Sequence, residues 1–283
     1  NSVTTGGLPN GTAVNTPVAG SAGGKVGNGV VLQGGQNDHM NLVASFGSGN
    51  TLGTSFTLSA WYNLNEPITS ASSSGRYFVY ESSNDYDVSY GLRDLGSGVA
   101  GPNDGQVYTQ TGNFSVADAG AGGWHHVIQT YTESGSDVII KTWIDGRHVG
   151  DLSIAVGSFT GNGFNFGSAR SSQTVRGFDG MIDEVAIWDR ALTTAELASV
   201  YALGLNSKPV VSSAPADPAP TINSFTASPD TTTLGGTVSL AWNVSSSTSV
   251  TIVDELGNVG ATGTQNVTLN QPKTSTLVAI NGN

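Results

Sequence analysis

Apolar and polar residues alternate along most of the first two-thirds of the chain with the two-residue period of strands. In SFTLSAWYNL, residues 55–64, Phe56, Leu58, Ala60 and Tyr62 fall on one face, because successive strand side chains point to opposite sides. GKVGNGVVLQGGQNDHMNLV, residues 24–43, predicts two short strands around a Gly-Gly-Gln-Asn-Asp turn. RYFVYES, YDVSYGLRD, QVYTQ and FTGNGFNFGSA add further short strands. Residues 124–150 read as strands joined by ESGSD, with Val138, Ile140, Thr142 and Ile144 sharing a face. Asp145-Gly146 then supplies the pair that a two-residue hairpin turn needs, since both central positions take positive φ. A last strand runs from Met181 to Trp188. Roughly a dozen strands at such spacing and almost no helix predict an all-β antiparallel sandwich.

One helix is expected after that strand. Thr193 and Glu196 stand in capping-box spacing, Leu197, Val200, Tyr201 and Leu203 supply apolar positions, and Gly204 is expected just past the end. The composition then changes. Five of the ten prolines fall between Pro209 and Pro229, four of them within residues 205–221, and proline resists both helix and central strand, so 205–221 predicts an extended spacer. The expected division is residues 1–206, a linker at 207–214, and a smaller β unit at 215–283. In the smaller unit strands are expected at Ile222–Ala227, Val238–Val244, Val250–Val253, Gln265–Leu269 and Thr276–Ile280, with Leu240 and Trp242 inward.

Several of these motifs in this order resemble the laminin-G-like and pentraxin-like branch of the concanavalin-A-type jelly rolls. The resemblance rests on GKVGNGVVLQGG-QNDHMNLV, SFTLSAWYNL, the hairpin from Trp124 and the closing FDGMIDEVAIWDRALTTAEL. It spans about residues 24–204, with 66–77 and 91–123 unmatched. It implies a two-sheet jelly roll with roles in carbohydrate recognition or adhesion. The second unit resembles a bacterial immunoglobulin-like domain, with one more strand expected after LVAI. That gap implies either a piece of a longer protein or a sheet completed by a strand-donating neighbour or a downstream domain.

Charged residues make up only 11% of the chain, and glycine (39 residues) with serine, threonine and asparagine fills the difference, as many turns require. Acidic residues outnumber basic ones, 21 to 10, for a formal net charge of −11. Such a field repels phosphate backbones, which disfavours nucleic acid and anionic membrane as partners. A glycan or a cell-surface protein fits better. The absence of cysteine excludes disulfides, thiolate nucleophiles and zinc–thiolate sites. No apolar run is long enough to span a membrane. Low charge with abundant polar β residues suits a secreted or cell-surface location.

Asp183 and Glu184 invite comparison with the carboxylate pair of a glycosidase, but neighbours on a regular strand diverge, so a turn-binding or cation-binding Asp183 is the expectation. His125 and His126 diverge likewise and lack partners at metal spacing. No Gly-x-Ser-x-Gly elbow or phosphate loop occurs. Pairing of the Val30–Leu32 strand with the last strand would bring the Gly34–Asp38 turn beside Asp179 and Asp183. Asp38 and Asp183 with backbone carbonyls are therefore the candidate ligands for a structural calcium ion. The pentraxin-type double site is not expected: Asn84-Asp85 resembles half of it, but Arg170 and Arg176 stand where the resemblance implies acidic residues. The candidate ligand surface is ESSNDYDVSYGLRD with Tyr80, namely Tyr80, Glu81, Asn84, Asp85, Tyr86 and Arg93. Aromatic faces cover sugar C–H patches, and planar polar groups take hydroxyls. Tyr86, Val88 and Tyr90 share a strand face, so one of these tyrosines also suits a core position. Nothing here assembles a reaction centre, and a non-catalytic binding module is the expectation. The alternatives are an accessory domain of a polysaccharide-degrading enzyme and a structural subunit of a surface assembly.

Overall fold

The computed structural model describes residues 3–4, 12–15, 17–33, 38–42, 45–65, 76–81, 89–92, 105–108, 113–116, 122–167, 178–210 and 220–280. Contacts divide the chain into two compact units, residues 1–192 and 193–283. In the first unit, strands β1 (Val3–Thr4), β2 (Thr12–Val14), β3 (Val18–Ala22), β4 (Asn28–Leu32), β5 (His39–Leu42), β6 (Phe46–Gly47) and β7 (Phe56–Leu64) come first. Then follow β8 (Arg76–Glu81), β9 (Ser89–Leu92), β10 (Gly105–Tyr108), β11 (Asn113–Val116) and β12 (Trp124–Ser134). The series continues with β13 (Asp137–Ile144), β14 (Arg147–Ala155), β15 (Thr160–Gly161), β16 (Phe164–Phe166) and β17 (Gly180–Trp188).

Two large sheets result. The larger runs β14-β13-β12-β7-β17-β4-β3, with β1 lying parallel to β17, and the other runs β11-β10-β9-β8-β16-β5-β2. β4 pairs antiparallel with β17, Leu32 opposite Gly180, which is the first-to-last pairing expected from the sequence. Both hairpins form where the turn residues stand: Asp145 and Gly146 take φ of 51° and 78°, and Gly135 takes 64°. Residues ahead of Gly24 carried no clear strand pattern, yet β3 extends the larger sheet at its edge by pairing with β4.

Both sheets contribute to one core because each turns an alternate set of apolar residues inward. β7 supplies Phe56, Leu58, Ala60 and Tyr62; β12 supplies Val127 and Tyr131; β16 supplies Phe164 and Phe166. Aromatic rings meet at its centre, Phe56 to Tyr131 at 4.2 Å and Phe46 to Phe159 at 4.9 Å between centroids. Offset contacts of this kind add about 0.5–1.5 kcal/mol per pair beyond area burial.

The second unit opens with helix α1 (Thr194–Leu205), whose capping box is complete: Glu196 N–H donates to Thr193 Oγ1, and Thr193 N–H donates to Glu196 Oε2 at 2.8 Å. The helix does not stop at Gly204. It runs to Leu205 and closes with Ser207 at a φ of 53°, where Lys208 N–H reaches Leu203 O and Ser207 N–H reaches Gly204 O. These two bonds satisfy the terminal carbonyls, so the left-handed residue is Ser207 rather than a glycine. The helix was expected with the larger unit, but Ala198 and Ala202 pack in a buried cluster with Val253 and Val278, and the division falls before Thr193.

Strands β18 (Thr221–Ser228), β19 (Gly236–Ser245), β20 (Ser249–Val253), β21 (Gly257–Val259), β22 (Thr262–Leu269) and β23 (Thr276–Ile280) complete this unit. They form two three-stranded sheets, β18-β19-β22 and β21-β20-β23, around Val238, Leu240, Trp242, Val244, Val250, Ile252 and Leu277. Among the described strands of this unit, β21 is the one that the sequence pattern did not indicate. Gly263 is obligatory, because a Cβ there would lie 2.4 Å from the Trp242 ring. Asn206 ties the helix end to this unit: its Nδ2 donates to Ala202 O at 2.8 Å and to Thr251 Oγ1 at 3.4 Å.

Replacing Phe56 by alanine empties the centre of the aromatic cluster. It is expected to cost about 3–5 kcal/mol of unfolding free energy, read as a lower denaturation midpoint in guanidinium chloride.

Candidate functional site

The outward face of the seven-stranded sheet carries a polar row. Phe164 and Phe166 of β16 point into the core, so alternation turns Asn165 between them the other way. Register sets Asn165 opposite Asn41 on β5 and opposite Tyr80 on β8; Asn41 in turn faces Thr12, and Tyr80 faces Ser89. Residues directly opposite across antiparallel strands share a face, so five strands place Thr12, Asn41, Asn165, Tyr80 and Ser89 in one line. Asn41 Nδ2 donates to Asn165 Oδ1 at 2.7 Å, and the Asn165 side chain is buried in the sheet surface. That bond fixes both amide planes and uses one donor of Asn41 and one acceptor of Asn165. Each amide keeps further hydrogen-bonding capacity.

Of the residues singled out from the sequence, only Tyr80 takes a place in this row. Glu81 takes the register position opposite Phe164, next to that of Tyr80. Tyr90 takes the register position opposite Val79, which in turn lies opposite Phe166. Asn84, Asp85, Tyr86 and Arg93 lie outside the described residues. Asn41 and Asn165 were missed in the sequence. Their signal was a lone polar residue between two apolar ones, in FNF and in MNL, and only the strand register makes it meaningful.

The outward face of the larger sheet holds a different polar group. His126 of β12 pairs with Trp61 of β7, stacks on the indole at 4.7 Å, and meets Ser59 Oγ through Nε2 at 2.8 Å. Lys25 Nζ sits 4.3 Å above the Trp61 ring, a cation–π contact. Burial pushes the His126 imidazole down from its ordinary value to about 3, and the Lys25 ammonium acts in the same direction. Burial also lowers Lys25, which the Asp145 carboxylate partly offsets. His125 points to the opposite side and bonds Asp145 Oδ2 through Nδ1 at 2.8 Å, while Asp145 Oδ1 accepts from His126 N–H at 2.8 Å. The His-His pair is thus bound into packing and hydrogen bonds, as its strand placement predicted.

Asp183 accepts from two backbone amides, Val26 N–H at Oδ2 and Glu184 N–H at Oδ1, each at 2.8 Å. The regular alternation assumed for this strand breaks here. A bulge between Asp183 and Ala186 places Glu184 at a φ of 48°, and both side chains are buried. Asp38 is buried as well and accepts from Gln33 N–H at 3.3 Å. Gln33 lies one residue beyond the Leu32–Gly180 pair, while Asp183 lies three residues along β17 in the other direction. At about 3.3 Å per residue these levels are about 13 Å apart, so the first-to-last strand pairing forms without bringing Asp38 and Asp183 onto one ion. Among the described residues no three His, Cys, Asp or Glu side chains gather in one place.

Residues 33–198, more than half of the chain, match the laminin-G-like family of the Concanavalin A-like lectin/glucanases superfamily, and the chain belongs to that superfamily. Among solved structures the chain is similar to domain 4 of AbnA, a GH43 extracellular arabinanase from Geobacillus stearothermophilus in complex with arabinotriose. The identity is 18% over 69% of this chain and 89% of that one, with a TM-score of 0.44. A second, a putative carbohydrate binding protein from Bacteroides ovatus, is 20% identical over 51% of this chain and 40% of its own, with a TM-score of 0.39. A third, a heptameric SAP-like pentraxin from Limulus polyphemus, is 14% identical over 60% of this chain and 73% of its own, with a TM-score of 0.39. No curated protein matches the chain.

The His126 environment predicts acid sensitivity. The folded chain holds the ring neutral down to about pH 3, whereas the unfolded chain binds the proton near pH 6.5. The contribution of this group is therefore complete above about pH 6.5 and is lost as pH falls towards 3, at up to about 1.4 kcal/mol per pH unit. Denaturation midpoints measured across that window are expected to fall steeply for the native chain and less steeply for His126→Gln.

Proposed function

We propose that this chain is a non-catalytic carbohydrate-binding module of a secreted or surface protein, with its glycan on the outward face of the seven-stranded sheet. The observation that carries this reading is the row from Asn41 through Asn165 to Tyr80. The partly exposed Asn41 amide, fixed by its hydrogen bond to the buried Asn165, presents oriented hydrogen-bonding groups to sugar hydroxyls, and residue 80 takes a register position in the same line. Membership of a superfamily of lectins and glucanases supports a sugar ligand. Within that pair of activities the glucanase side has less support, since both Asp183 oxygens accept backbone amides and Glu184 is buried beside it. The net charge of −11 argues for a neutral ligand over a polyanion. No helix among the described residues is long and apolar enough to cross a membrane.

A calcium ion would have a structural part in this reading, stiffening a rim through Asp38 or Asp183 with backbone carbonyls rather than taking part in chemistry. The same module would serve as an accessory domain beside a polysaccharide-degrading catalytic domain. Residues 215–283, read as immunoglobulin-like, would then act as a spacer.

One observation favours a second reading, a structural subunit completed by strand donation. β18 and β23 are each the edge of a three-stranded sheet among the described residues, and β18 is exposed along nearly its whole length. An open edge of this kind accepts another strand by main-chain hydrogen bonds. Concentration-dependent polymers in light scattering would support that assembly, and a monomer at every concentration would remove it.

A glycan array probed with and without chelator tests the main reading. Binding to a neutral glycan is expected, with affinity lowered about tenfold by Asn41→Ala, about 1.4 kcal/mol for one lost hydrogen-bonding group. Loss of signal in chelator would implicate calcium. Absence of binding to every glycan would leave protein–protein adhesion in its place.

A further inference from the structure

A second group of side chains on the first unit has the make-up of a sugar subsite, and it lies on the larger sheet, away from the amide row. On the edge hairpin, Trp143 of β13 stands opposite His148 of β14, and Lys141 stands opposite Asp151. A regular strand would send residues 148 and 151 to opposite faces. The register shifts between Thr142 and Trp143, leaving Val149 as an extra residue, and this bulge brings both His148 and Asp151 to the side of Trp143 and Lys141.

The four side chains brace one another. His148 Nε2 bonds Asp151 Oδ1 at 2.6 Å, and its ring lies 5.1 Å from the indole of Trp143 at an interplanar angle of 53°. The second carboxylate oxygen of Asp151 is 3.9 Å from Lys141 Nζ. Trp143 is half-buried, which fixes its ring, while Lys141, His148 and Asp151 are 49%, 47% and 43% exposed. An anchored indole beside exposed groups of both hydrogen-bonding signs is the combination that recognises a sugar ring. The apolar C–H face covers the indole, and vicinal hydroxyls bond the carboxylate, the imidazole and the Lys141 ammonium. All four residues sit on paired strands, so little ordering entropy is lost on binding.

We infer that Trp143, His148, Asp151 and Lys141 form a second glycan subsite, taking one neutral sugar unit with a vicinal hydroxyl pair. This subsite shares with the amide row only its class of ligand, and separate variants distinguish them.

The test is native affinity electrophoresis of the full chain in gels cast with xyloglucan, mixed-linkage β-glucan, galactan or arabinan. At least one polysaccharide is expected to retard the native chain. Trp143→Ala and Asp151→Asn should each weaken that retardation about tenfold, while Trp143→Phe, which keeps an aromatic platform, retains most of it. Equal thermal midpoints for Asp151→Asn and the native chain separate lost binding from lost folding. Native retardation in both Trp143→Ala and Asp151→Asn would overturn the subsite, as would passage of the native chain unretarded through every gel. Loss in these two variants with native behaviour of Asn41→Ala would uphold the subsite and remove the amide row.

Discussion

Strand β7 has no solvent-facing side over most of its length, and the rest of the first unit is arranged to meet that demand. It lies at the middle of the larger sheet between β12 and β17. Its inward residues, Phe56, Leu58, Ala60 and Tyr62, need apolar partners and find them in the aromatic core. Its outward residues are polar or amphipathic and equally buried, so each needs a hydrogen-bond partner or a ring contact. Thr57 Oγ1 donates to Arg190 O and accepts from Leu192 N–H, Ser59 meets His126, and Trp61 lies between His126 and Lys25. A buried polar surface of this kind tolerates only one register, because a one-residue slip would exchange Ser59 and Trp61 with Leu58 and Ala60. The central strand thereby locks the neighbouring ones.

Bulges decide where chemistry-bearing side chains emerge from this rigid sheet. At Asp183–Ala186 the extra residue draws Asp183 onto two backbone amides and places Glu184 in the left-handed region, which consumes a carboxylate pair that looks catalytic on paper. At Thr142/Trp143 the extra residue does the reverse and collects an indole, an imidazole, a carboxylate and an ammonium on one exposed patch. The two irregularities are of the same kind. They differ in burial, and burial determines whether the side chains serve the backbone or remain available to a ligand.

Much of the architecture was legible in the chain. Alternation in SFTLSAWYNL and in the hairpin from Trp124, the Asp145-Gly146 pair and the Thr193–Glu196 capping box are local signals, and each acts over a few residues. Local signals survive in the fold because they are satisfied by neighbours in sequence. The end of the helix was misplaced because Gly204 is a common stop, whereas Ser207 could take the left-handed position once Lys208 and Leu203 closed the turn. The assignment of the helix to the second unit followed from Ala198 and Ala202 meeting Val253 and Val278, partners some fifty or more residues distant that no periodicity identifies.

The amino-acid sequence by itself determined an all-β chain, the order of its principal strands, its hairpin turns and a surface poor in charge, since these depend on alternation, turn chemistry and composition. Which residues form a site was left to the tertiary structure. Asn41 and Asn165 are 124 positions apart, and Ser59 and His126 are 67 apart. Their meeting is set by strand register across the sheets, and the partners of Asp183 are set by a bulge. Register and bulges arise from packing over the whole sandwich, and short-range pattern carries no record of them.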